Sequence, residues 1–155
     1  MAQQILVKLA KSRETLLSVI TTLNENLLER RSSDGWSIRQ ILTHLVNAEE
    51  DHRQVIEVTL LGRTDLIPRE FSLDKHNQQR LHERGSLSYE AIRAGLDEQR
   101  RATETLLQSL SDEQLATNVP HPALGNKTVD EIFRVIALHE RMHAQEIAAL
   151  LKEGA

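Results

Sequence analysis

A chain of 155 residues is long enough to bury one sizeable core, and its formal charge of −4 offers no bulk attraction to nucleic acid or to an anionic membrane. The sequence holds no cysteine, which excludes a disulfide scaffold, a thiolate-bound zinc and a cysteine nucleophile. Aromatics make up 3% of residues and Gly and Pro are sparse, so the composition favours helices packed by Leu, Ile and Val over a sheet.

The first helix is predicted over about 2–31, where Leu6, Leu9, Leu16, Leu17, Ile20, Leu23 and Leu27 recur at helical spacing and form one apolar stripe. The run RSSDGW breaks it. The second helix starts after Ser37, with Gln40 completing a capping box, and runs to about 61, where Gly62 stops it. Its stripe is Ile38, Ile41, Leu42, Leu45 and Val46, then Val55, Ile56 and Leu60. The stretch 62–88 is too long for a hairpin and is expected to hold one short helix near 73–83 within a crossover connection. The third helix spans about 88–110, with Tyr89, Ile92, Leu96, Leu106, Leu107 and Leu110 inward. An irregular link follows over 111–127, with one helical turn at 111–115 opened by the capping pair Ser111 and Gln114. The fourth helix begins at Thr128, boxed by Glu131, and reaches about 152. Four amphipathic helices, with no internal repeat or boundary, make one bundle domain over 1–155.

The fourth helix carries LHERMHAQEI across 138–147. Four residues separate His139 from His143, so their imidazoles stand a turn apart on one helix face. That face is the apolar stripe of Val129, Ile132, Phe133, Ile136, Ile147, Leu150 and Leu151. Buried imidazoles without partners cost free energy, and two at this spacing suit bonds to one metal ion. HERMH also spells the H-E-x-x-H of zinc proteases. Such an enzyme takes its third ligand downstream, and the twelve residues after His143, AQEIAALLKEGA, contain no further His. The protease reading fails there. A third donor is still required, and His44 in WSIRQILTHLVNAEE flanks the stripe of the second helix, roughly 10 Å in from Ser37 at about 1.5 Å per residue. Antiparallel packing of the second and fourth helices would bring the three to similar levels.

W-S-I-R-Q-I-L-T-H-L-V-N-A-E at 36–49, F-S-L-D-K-H-N at 71–77, L-S-Y-E-A-I at 87–92, and T-V-D-E-I with H-E-R-M-H within 128–143 together resemble the DinB/YfiT-like superfamily over nearly the whole chain. The resemblance implies an all-α four-helix bundle with a long crossover between helices 2 and 3. It also implies a divalent metal held by one histidine of the second helix and two of the last, which here are His44, His139 and His143. Zinc, nickel or iron is the implied ion, and a homodimer the implied assembly. Some members are transferases using a low-molecular-weight thiol as co-substrate and some look like hydrolases, acting on small molecules, while many have no assigned activity. A bundle whose metal is structural or absent therefore stands beside the enzyme. Neither the resemblance nor the charge pattern implies nucleic acid, so no nucleic acid partner is expected.

E-x-x-H occurs at Glu49 and again at Glu140, as in ferritin-like di-iron bundles. That site also needs an inward carboxylate from the first and third helices, and Glu14, Glu25, Glu98 and Glu104 all project away from their stripes. His52 lies eight residues beyond His44, roughly 12 Å along the axis, too far to share its ion. Arg13, Glu49, Gln99 and Glu140 are polar residues on inward faces. A network fixing helix register, with Arg13 on Glu49, is the plain expectation. The sharper one makes Glu49 or Glu140 an acceptor for a ligand imidazole or a general base, with Glu140 the candidate catalytic residue. His76, His82 and His121 fall in the links and are expected on the surface. MAQQILVKLAKSRE lacks the apolar core of a signal peptide, and no stretch reaches the length of a membrane span. A cytoplasmic protein without a membrane partner is the expectation.

Overall fold

The computed structural model describes residues 1–32 and 35–153, with α1 over Ala2–Ile20, α2 over Ile38–Leu60, α3 over Leu73–Arg84 and α4 over Tyr89–Ser109. A short α5 (Asp112–Leu115), strands β1 (Asn118–His121) and β2 (Gly125–Thr128), and α6 (Val129–Glu153) complete it. The four long helices form the expected bundle, with α1 along α6 and α2 against both α4 and α6. Among the described residues no helix is long and apolar enough to cross a membrane.

Local chemistry starts the helices where the sequence places them. The Ser37 hydroxyl accepts from Gln40 N at 3.1 Å while Gln40 Oε1 accepts from Ser37 N at 2.9 Å. The same reciprocal pair opens α5 at Ser111 and Gln114, and α6 at Thr128 and Glu131. Gly95 lets α4 lie close on α2, since a Cβ there would meet Val46 Cγ1 at 3.3 Å.

Two expectations need correction. The first helix ends at Ile20, well short of 31, and its chain then turns through a 3₁₀ segment at Leu27–Glu29. Asn24 Oδ1 accepts from Leu27 N at 2.9 Å, offering the backbone a bond that competes with the helix. Leu23 and Leu28 are buried all the same, so the apolar spacing persists because the turn folds under the bundle. Part of the break expected at RSSDGW, residues 33–34, lies outside the described residues. The link over 111–127 is also not irregular throughout. It contains an antiparallel hairpin in which Asn118 pairs with Thr128 and His121 with Gly125. Gly125, at φ +75°, takes a left-handed conformation close to the turn that only glycine adopts freely. Val119 is sealed into the core and anchors the ribbon.

Helices α2 and α6 run antiparallel. His44 of α2 lies beside His143 and His139, and His52 farther along faces His139 and then His121 of β1. The crossover between α2 and α4 carries α3 as expected. No α3 residue is buried; charge holds this helix to α2. Arg80 and Arg84 both reach Glu50 at 2.9 Å, and His76 Nε2 meets Asp51 Oδ2 at 2.7 Å.

The core has two apolar parts. One gathers Leu16, Ile20, Ile38, Leu42, Ile92 and Ile147, the other Ile5, Leu9, Ile56, Leu107, Ile132 and Phe133. At levels between them sits a polar layer of Arg13, Glu49, Arg100 and Glu140, one from each long helix and all buried. Arg13 Nε donates to Glu140 Oε1 at 2.8 Å, and Arg100 Nε to Glu49 Oε1 at 2.9 Å. Arg100 also binds Glu140, while Arg13 Nη2 stands 3.7 Å from Glu49. Spare guanidinium hydrogens reach Leu96 O at 3.1 Å and Leu9 O at 2.8 Å. The expected network exists, but Arg13 bonds chiefly to Glu140, and Arg100 is a fourth member that the sequence did not suggest. Two cations and two anions balance, which is what makes such burial tolerable. Replacing one member strands the others. Arg100→Met should therefore lower unfolding free energy by about 3–5 kcal/mol in a urea titration, and a loss below about 1 kcal/mol would show the layer to be incidental.

Candidate metal centre

Helix geometry places the histidines. His139 and His143 share the inward face of α6, and His44 reaches them from α2 after two turns counted from its cap. His44 Nε2 lies 3.1 Å from His139 Nε2, which lies 3.0 Å from His143 Nε2. All three ligand atoms fall within 4.8 Å of one another, so the three could hold one metal ion. Two nitrogens each about 2.1 Å from an ion stand about 3.0 Å apart at a right angle and about 3.4 Å apart at a tetrahedral angle. The two spacings to His139 match the first.

The hydrogens support the same fit. His143 Nδ1 meets Glu146 Oε2 at 2.7 Å, and a carboxylate oxygen can only accept, so Nδ1 carries a hydrogen and Nε2 is the nitrogen left to bind a metal. One hydrogen on His139 Nε2 cannot point at both of its neighbours. Without a cation, lone pairs crowd together in this corner; with one, all three find a partner. Burial pushes the His44 imidazole down to about 3, helped by its two companions, and His139 down to about 4. Both are therefore neutral near pH 7, the state that binds metal. Trp36 packs its ring 5.0 Å from that of His44 and walls one side.

A cavity of about 550 Å³ opens beside the cluster, with His44 and His139 in its wall. Its apolar lining includes Val55 and Val58 of α2, Leu66 and Phe71 of the crossover, and Leu124 of the hairpin turn. The two long links thus shape the chamber together with α2 and α6.

The other candidates separate clearly. Glu140, 3% exposed, has its oxygens taken by Arg13 and Arg100. Glu49 is held by Arg100. The di-iron alternative finds no carboxylates, since Glu14, Glu25 and Glu98 are exposed and Glu104 is half-buried, and the triad is the only such cluster among the described residues. His82 is exposed as expected, but His76 and His121 line the cavity, and His121 is only 7% exposed. Burial of His121 follows from the hairpin, which the sequence reading did not contain. His52 belongs to no metal cluster, yet its Nδ1 lies 2.8 Å from His121 Nε2. Glu146, outside the H-E-x-x-H letters, steadies His143, and its i, i+3 spacing is the signal that could have marked it.

Known proteins agree with this fold. The sequence pattern of the DinB superfamily matches residues 8–147. The uncharacterized protein YuaE of Bacillus subtilis (strain 168) is 23% identical over 133 residues, covering 80% of this chain and 82% of that one. The crystal structure of the colibactin self-resistance protein ClbS in complex with a dsDNA superposes with a TM-score of 0.80 at 15% identity, over 97% of this chain and 95% of that one. That complex overturns the exclusion of nucleic acid drawn from the charge of −4. Net charge sets only a mean potential, whereas a groove can carry its own. The chain belongs to the DinB superfamily.

Proposed function

We propose that this DinB-superfamily chain works as one domain, holding a divalent cation on His44, His139 and His143 and acting on a small molecule in the adjoining cavity. Transfer with a low-molecular-weight thiol as co-substrate, or hydrolysis, is the reaction class. The reading rests above all on the 3.0 and 3.1 Å spacings of the three Nε2 atoms. Zinc, nickel and iron all accept imidazole nitrogen, and the right-angle spacing suits nickel or iron at least as well as zinc. A cation held there would supply Lewis acidity, easing loss of a proton from a coordinated thiol or water.

The protein's own residues do the rest. Three neutral imidazoles bind without cancelling the ion's charge, and Glu146 fixes the ring of His143 through its Nδ1 hydrogen. The apolar wall of Val55, Val58, Leu66 and Phe71 excludes water and favours a ligand with a hydrophobic body. Glu140, engaged by two arginines, positions α6 in this reading and exchanges no proton. Protein purified without a histidine tag should carry about one divalent ion per chain by elemental analysis. Changing His44, His139 and His143 together to Ala should abolish it while shifting the melting temperature by only a few degrees. A collapse in stability would assign the ion a structural role, and absence of metal even after supplementation would end the enzyme reading.

A second reading concerns nucleic acid. The relative with this fold is seen in complex with a dsDNA, and here a groove between α1 and α6 is lined by Lys8, Lys11, Arg134 and Arg141 against a single acid, Glu14. Arg134 is partly neutralised by Asp130 at 3.0 Å. Three or so phosphate contacts predict duplex binding that weakens about tenfold to a hundredfold between 50 and 200 mM salt. Fluorescence anisotropy with a short duplex reads this, and Lys8→Glu with Lys11→Glu should remove it. Binding untouched by those changes would place the contact elsewhere.

A further inference from the structure

The hydrogen bonds of His121 and His52 fix where each ring keeps its hydrogen. His121 Nδ1 faces two backbone donors of the hairpin turn, Ala123 N at 3.0 Å and Leu124 N at 3.1 Å. Nδ1 must accept from both, so the hydrogen of the neutral ring sits on Nε2. That Nε2–H points at His52 Nδ1, 2.8 Å away, which must in turn accept. The hydrogen of His52 is thereby driven to its own Nε2. Burial keeps both rings uncharged, with His52 pushed down to about 3 and His121 to about 4.

His52 Nε2 hydrogen bonds to no protein atom among the described residues, and it is not among the fully enclosed unpartnered atoms of the protein. Two open spaces adjoin the residue. One is the 550 Å³ cavity. The other is a void of about 10 Å³ shared with Leu45, Glu49, Ile136, His139 and Glu140, room for a single water at most. The ring of His52 stands 6.4 Å from that of His139, close enough for one small molecule to touch both it and whatever the triad holds.

We infer that His52 Nε2–H is the specificity donor of the cavity, aimed by His121 and the hairpin turn at a carbonyl or carboxylate oxygen of the bound small molecule. The inference rests on the proposed function for its cavity ligand, but the tautomers follow from hydrogen bonds alone. It selects the ligand class: a compound with an apolar body and an acceptor oxygen. An ammonium placed opposite an N–H has no lone pair to offer it, and a hydroxyl accepts there only if another group takes its own hydrogen. His121 is a positioning residue, acting only through His52.

Long-range 1H–15N spectra of the metal-free protein near pH 7.5 read the tautomers directly. Both rings should carry hydrogen on Nε2, and His121→Phe should let His52 relax to a mixture. Finding His52 with its hydrogen on Nδ1 overturns the inference whatever the metal content. The second arm adds benzoate, an apolar ring bearing a carboxylate, to zinc-loaded protein. Benzoate should shift the His52 Nε2 resonance, and its affinity should fall about tenfold in His52→Phe and far less in His52→Gln, which keeps a donor at that place. No binding of benzoate at millimolar concentration, or equal binding by His52→Phe, overturns it. If zinc fails to bind while the tautomers are as stated and benzoate still shifts His52, the metal reading falls and this one stands.

Discussion

Two guanidiniums and two carboxylates, shut away from water between the apolar parts of the bundle, tie α1, α2, α4 and α6 into one register. Arg13, Glu49, Arg100 and Glu140 each come from a different long helix, and each bonds to at least one of the others. The site depends on that register. Glu140 is the neighbour of His139, and Glu49 stands little more than a turn beyond His44. An apolar layer of equal volume could bury as favourably, but ridges of Leu and Ile tolerate slippage that charged partners with fixed directions do not. A shift of one turn, about 5.4 Å, would part nitrogens that now stand about 3 Å apart.

Burial then gives the histidines two different tasks. Desolvation keeps His44 and His139 uncharged, and the ligand nitrogens of His44, His139 and His143 lie within 4.8 Å of one another. Desolvation also keeps His52 and His121 uncharged, but hydrogen bonds from the hairpin turn place the hydrogen of His52 on its Nε2. One group of rings accepts, the other donates, and the cavity between α2, the crossover and the hairpin touches both. The weakly packed parts of the chain serve here as the walls. Helix α3, held by Arg80 and Arg84 on Glu50 with no buried residue of its own, closes one side of the chamber.

Much of this was legible in the sequence because it follows from local rules. Ser37 with Gln40 and Thr128 with Glu131 announce helix starts, and four-residue spacing puts His139 and His143 on one face whatever surrounds them. The crossover helix expected near 73–83 appears at Leu73–Arg84, with Ser72 as its cap. What stayed hidden depends on tertiary contacts. The hairpin has two strands of four residues, with Pro120 inside the first and Pro122 just after it, and no run of alternating apolar residues; burial of Val119 and the bond from His121 to His52 hold it in place. His121 looked like a surface residue for that reason alone. Arg100 does lie on the stripe of its helix, four residues past Leu96 and seven before Leu107, but in a helix rich in charge its residue type reads as surface. The end of α1 was missed because leucines continue past it into a buried turn. The charge argument failed differently: a sum over 155 residues says nothing of the groove between α1 and α6.

All of the proposed chemistry requires three imidazoles on a single ion. X-ray absorption at the metal edge, with protein loaded with one equivalent of nickel or zinc, measures that shell directly. Three imidazole nitrogens at about 2.0–2.1 Å, with the outer-ring scattering of His44, His139 and His143 lost when they are replaced, is the predicted spectrum. A shell with one imidazole or none, or one unchanged by those replacements, would place the ion elsewhere and contradict the account.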